Sequence, residues 1–147
     1  MTTALSAMSR TCSEALGRAE HARDQIGIVS RQLERGIVLL VSGEIDLATA
    51  PTVERELLRA EESHDLVAID LSETSFMDST GLHAIMAANQ RLRERGGQLL
   101  IVQGPPQVSR LFELTGLGDH LDLVRTETEL ERLAANGNRP RLSSQIL

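Results

Sequence analysis

The chain has no lysine, no tryptophan and no tyrosine, and it carries one cysteine and two phenylalanines in 147 residues. Each shortage removes a class of function. All 15 basic residues are arginines, so no ammonium group is present to ground a phosphate loop of the Walker kind or to form a Schiff base. Phe76 and Phe112 are too few for base stacking, and a net charge of -6 opposes attraction to a phosphate backbone. No nucleic-acid partner is expected. Cys12 stands alone and cannot close an internal disulfide, so the fold must hold by packing, as in a reducing compartment. Nowhere does an apolar run approach the roughly 20 residues of a membrane span, and Arg10 interrupts the stretch from Ala4 to Cys12 where an export signal would need its apolar centre. The expectation is a soluble cytoplasmic protein with no membrane partner.

What is present is an alternation of short apolar runs and helical patterns, in a length suited to one domain with its own core. Residues 1–25 are rich in Ala, Ser, Thr, Arg and Glu, and the stripe of Leu5, Met8, Cys12 and Leu16 is thin, so they read as a flexible extension. A hairpin is predicted from Ile26–Leu33 and Ile37–Val41 around Glu34-Arg35-Gly36. Pro51 at a first helical turn predicts a helix to Ser63 with Val53, Leu57, Leu58 and Ala60 inward. A strand at Leu66–Leu71, a helix ending near Gly96-Gly97, a strand at Gln98–Val102 and a helix from Pro105-Pro106 follow. Leu121–Val124 reads as an edge strand, and Thr126 with Glu129 three residues on forms a capping-box pattern before a last helix. Residues 136–147 read as a tail. The fold class is therefore α/β: a single domain over 26–135, a mostly parallel sheet of four to five strands with an antiparallel N-terminal strand, and about four helices.

In such a sheet the strand ends that lead into helices form the functional rim. Two segments stand out there, Gly43-Glu44-Ile45-Asp46-Leu47-Ala48-Thr49-Ala50-Pro51 and Phe76-Met77-Asp78-Ser79-Thr80-Gly81-Leu82. Ser79 sits where a strand gives way to a helix, and a hydroxyl there can cap the helix, act as a nucleophile or accept a phosphoryl group. Thr80 offers a second hydroxyl. Asp78 either holds the proton of the serine or favours the helix dipole. Gly81 either admits a partner backbone or answers a packing constraint. Phe76 and Met77 read as packing beneath the loop, with Met77 as an interface anchor if it is exposed. Glu44 and Asp46 read as loop carboxylates bound to turn amides. Arg91, Arg93 and Arg95 read as the solvated end of a helix. His21, His64, His83 and His120 lack ligand spacing, so no metal and no cofactor are expected.

The two rim segments, in this order and context, resemble the anti-sigma-factor antagonists, the bacterial members of the STAS domain family, over about residues 26 to 135. The resemblance implies that Ser79 is the serine phosphorylated by a partner anti-sigma factor, a kinase with a histidine-kinase-like fold, and that a phosphatase resets it. It also implies that Glu44, Asp46, Thr49, Met77, Asp78, Thr80 and Gly81 surround the partner-binding surface. The unphosphorylated form would bind the anti-sigma factor and free the sigma factor; phosphorylation would end that binding. The chain would then be a substrate and no enzyme. His83 departs from the small residue that relatives often carry there. A STAS scaffold without phosphorylation is the alternative. A serine hydrolase is a weaker one, because Met77 breaks the Gly-x-Ser-x-Gly elbow and His120 has no evident acidic companion.

Overall fold

The computed structural model describes residues 26–136. The extension expected at 1–25 lies outside the described residues, as does the expected tail apart from Asn136. Five strands stand side by side in chain order. β1 (Ile26–Gln32) runs antiparallel to β2 (Ile37–Ile45), and β3 (Leu66–Met77), β4 (Gln98–Val102) and β5 (Asp122–Val124) continue the sheet in parallel. Helices α1 (Ala50–Ser63), α2 (Ser79–Glu94), α3 (Pro106–Thr115) and α4 (Glu127–Asn136) fill the connections and the C-terminal end, with a short 3-10 helix at Leu117–His120. The expected class and topology are what the structure shows.

Both faces of the sheet are covered, which is why its central strands read as near-continuous apolar runs. On one face Leu39, Val41, Val67, Ile69, Leu71, Leu99 and Ile101 pack against Leu57 of α1, Ile85 and Leu92 of α2, and Val108 and Phe112 of α3. On the other, Val38, Ala68, Leu100, Val102 and Val124 meet Leu130 and Ala134 of α4. The start of α4 follows the capping pattern: the Thr126 hydroxyl accepts the Glu129 amide at 3.1 Å, and the Glu129 carboxylate accepts the Arg125 amide at 3.2 Å.

Two expectations about helix surfaces are corrected. Leu58 points outward from α1, since Val53, Leu57 and Ala60 already occupy the face that meets the sheet. Arg93 and Arg95 are exposed at the helix end as expected, but Arg91 is not simply solvated. Arg91 makes a two-pronged contact, at 2.7 Å on each prong, with the buried carboxylate of Glu61 on α1. Arg95 donates to the backbone oxygens of Glu61 and, at 3.0 Å, His64. The guanidinium of Arg91 is held above its ordinary value, first by this hydrogen bonding to Glu61. The pair fastens α1 to α2 below the rim.

β2 and β3 both outrun the sequence expectation. β3 pairs with β4 only over Leu66–Asp70, so its outer half and the end of β2 project past β4 as an arm, which β1 flanks as far as Gly43. Along that arm the register shifts twice, between Leu40 and Ser42 and between Gly43 and Glu44, each time with one extra residue on β3. A bulge moves the alternation of side chains by one position. Buried residues of the outer half therefore recur at every third place, as Leu71, Thr74 and Met77. Gly43 meets the second shift with φ of 105°, a region open to glycine at no steric cost.

Candidate functional site

The tip of the arm carries the two rim segments, paired through Glu44 with Phe76 and Ile45 with Met77, and beyond the ladder the Asp78 amide donates to the Ile45 carbonyl at 3.1 Å. On the β2 side a short clasp shapes the loop. One carboxylate oxygen of Asp46 accepts the amides of Ala48 at 3.0 Å and Thr49 at 3.1 Å. The Thr49 hydroxyl accepts the Asp46 amide at 2.9 Å and donates to the Glu44 carbonyl at 2.7 Å. Asp46 and Thr49 thus fix the loop that leads into α1, whose own first amides bond the backbone carbonyls of Asp46 and Thr49. The turn also leaves Leu47 projecting, 75% exposed.

On the β3 side Asp78 is the N-cap of α2, its carboxylate accepting the Thr80 amide at 2.9 Å. The Thr80 hydroxyl also donates to that carboxylate. These bonds hold Asp78 below the ordinary carboxylate range, the Thr80 hydroxyl most strongly and backbone amides after it, against some opposition from burial. Ser79 is therefore the first residue of the helix, not its cap. Its side chain is exposed, and among the described residues no group hydrogen-bonds its hydroxyl. Asp78 is spent on Thr80 and does not hold the serine proton.

Burial divides the expected site residues into a surface and a support. Glu44 and Ser79 are exposed, and Asp46, Asp78 and Thr80 are half-buried at the rim. Thr49, Gly81 and Met77 are buried and support the surface from below, Met77 as the packing residue it was read to be. Met77 is 4% exposed because it is the third inward residue of the bulged arm. Gly81 answers an internal packing constraint. A Cβ at that position would stand 2.6 Å from the Ile45 side chain and 2.7 Å from that of Met77. Phe76, read from sequence as packing, instead turns outward and is 46% exposed. Its cross-strand neighbour is Glu44.

The sequence profile of the STAS domain matches residues 28–130, which include both rim segments whole. The chain belongs to the STAS domain family. The anti-sigma-B factor antagonist of Listeria monocytogenes is 40% identical over 103 residues, covering 69% of this chain and 86% of that protein. That of Bacillus subtilis is 33% identical over 98 residues, covering 67% and 90%. A crystal structure of an anti-sigma factor antagonist from Mycobacterium paratuberculosis superposes with a TM-score of 0.70 at 30% identity, covering 78% of this chain and 97% of the other. These STAS relatives carry the names of regulators, not of catalysts.

Within this STAS domain Ser79 and His120 do not form a nucleophile–base pair. Ser79 lies where the parallel strands finish, whereas His120 ends the 3-10 helix that leads into the start of β5. The two residues belong to opposite ends of the sheet. Among the described residues no group of three or more His, Cys, Asp or Glu side chains could hold a metal ion, and no helix is long and apolar enough to cross a membrane.

Sequence reasoning missed Leu47 and Phe76 as surface groups. Leu47 had one available signal: it is the lone large apolar residue of the loop between Ile45 and the first turn of α1. Phe76 had none, because its outward direction follows from the bulges.

Proposed function

We propose that this STAS domain is an anti-sigma-factor antagonist, a binding protein that releases a sigma factor by occupying its anti-sigma factor, and that phosphorylation of Ser79 ends the occupancy. The observation that carries the reading is the contrast between two adjacent hydroxyls. Thr80 gives its proton to Asp78, while Ser79 is exposed and unpartnered at the tip of the arm. A kinase can reach only one of them without breaking the cap of α2.

The chain is the substrate in this exchange. Asp78 is engaged by Thr80 and makes no hydrogen bond to Ser79, so the kinase brings its own base along with ATP. The anti-sigma factor itself is the proposed kinase, and a separate phosphatase resets the serine. A cytoplasmic setting follows, since sigma factors act on transcription there.

Electrostatics gives the direction of the switch. Phosphoserine adds about -1.5 to -2 charges at neutral pH, on a rim that already carries Glu44, Asp46 and Asp78. The helix N-terminus returns only about 0.3–1 kcal/mol. Burying the dianion against a partner that supplies no new cation costs several kcal/mol. Leu47 and Phe76 provide the apolar contact of the unmodified surface, flanking the serine from the two rim segments.

Purifying the protein from its own cells and reading its intact mass tests this. The expected result is a mixture of the unmodified chain and a species one phosphoryl group heavier, with the added mass on Ser79. A single unmodified species that also gains no mass when incubated with ATP and its co-purified partner would sink the reading.

A further inference from the structure

We propose that His83 is the intramolecular counter-ion of phosphorylated Ser79, the side chain that receives the phosphoryl group once it is installed. The inference rests on the phosphoacceptor reading of Ser79 and adds to it a residue that governs the modified state. Ser79 and His83 are both exposed and stand four places apart on the unbroken helix α2. That spacing is one turn, with Cβ atoms about 5–6 Å apart. Helical side chains lean toward the N-terminus, so the imidazole of His83 lies over the turn that Ser79 begins. Gly81 and Leu82 between them are buried on the opposite side.

The backbone of this turn has little left to offer a phosphate. The Thr80 amide is donated to the Asp78 carboxylate, and the Gly81 and Leu82 amides to the Asp78 carbonyl. Side chains around the turn are acidic: Glu44 from β2, Asp46 from the loop after it and Asp78 from the cap, with Glu73 further back on β3. α1 turns Glu54 and Glu61 toward α2, where both act on Arg91. β4 contributes no charged group at all. No arginine occurs between Arg35 and Arg55 or between Arg59 and Arg91. Along these segments only His64 and His83 can become cations, and His64 closes α1 just before the start of β3, at the other end of the sheet, where its ring bonds the Ala60 carbonyl and Gln32.

Phosphoserine loses its second proton near pH 6, and an ordinary imidazole titrates near 6.5. Each favours the charged form of the other, and an imidazolium one turn away can make a charge-assisted hydrogen bond to a phosphoryl oxygen. The bond draws the phosphate along α2 and away from the Asp78 carboxylate. It also shields the phosphate from the phosphatase.

The test uses the full chain with phosphoserine built in at position 79 during synthesis, beside the same phosphorylated chain carrying His83→Gln. Phosphorus NMR follows the second ionisation of the phosphate. The expected midpoint is lower with His83 present by about 0.5–1 pH unit, and the ring signals of His83 shift on phosphorylation while those of His64 and His120 stay in place. Equal midpoints in the two chains, with unmoved His83 signals, overturn the proposal. No kinase takes part in this experiment, so its failure leaves the phosphoacceptor reading standing, and that reading is decided separately by the mass of the protein from its own cells.

Discussion

The carboxylate of Asp78 accepts both the amide and the hydroxyl of Thr80 and passes over Ser79, which lies between them. One side chain thereby caps the helix, silences one hydroxyl and leaves the other bare. The cap and the switch are separate residues, and they can be tested apart.

Replacing Asp78 by alanine should cost about 1 kcal/mol of stability, the usual worth of an N-cap. Its pH dependence has a definite sign. Hydrogen bonds hold the folded Asp78 below the ordinary value of 3.8, so its contribution is complete above that value and is lost as pH falls through the lower, folded one. Urea denaturation of wild type and Asp78→Ala should therefore differ by a constant amount from neutral pH to about pH 5, and the gap should narrow below about pH 4. A gap that widened in acid would reverse the assignment.

Ser79→Ala should leave stability within about 0.5 kcal/mol of wild type. The serine makes no capping bond, so the alanine variant loses none, and thermal unfolding of the two should nearly coincide.

Gly81→Ala should be costly at a buried position. The added methyl group meets Ile45 and Met77 at 2.6 and 2.7 Å, and overpacking of this kind costs about 1–3 kcal/mol. The first turn of α2 must lift to relieve it, so the variant should also be a poorer kinase substrate in a phosphorylation time course.

Leu47→Ser and Phe76→Ala should separate binding from folding. Both side chains project from the rim, so unfolding midpoints should hardly move. Calorimetric binding to the co-purified anti-sigma factor should weaken by about 2 kcal/mol for at least one of them, as for an apolar anchor. Unchanged binding in both would remove them from the interface.

The order of elements was legible because local signals mark it: Pro51 in the first turn of α1, the Thr126 and Glu129 cap of α4, and the apolar runs of β3 and β4. The rim serine was legible for the same reason, as a polar residue at a strand-to-helix joint. Illegible features depend on residues distant in sequence. Arg91 looked solvated because Glu61 lies 30 positions earlier and meets it only when α1 and α2 pack. Phe76 looked buried because two bulges re-aim the outer half of β3, and a pattern of period two cannot anticipate them. Gly81 was ambiguous until Ile45 and Met77 were seen beneath it.

The central claim is that a charge placed on the Ser79 oxygen ends partner binding, and titration calorimetry of the anti-sigma factor with the unmodified and the phosphoserine-79 chains measures it directly. The account predicts that the phosphorylated chain binds at least about 100-fold more weakly, close to 3 kcal/mol, with the fold unchanged. Equal dissociation constants for the two chains would contradict it.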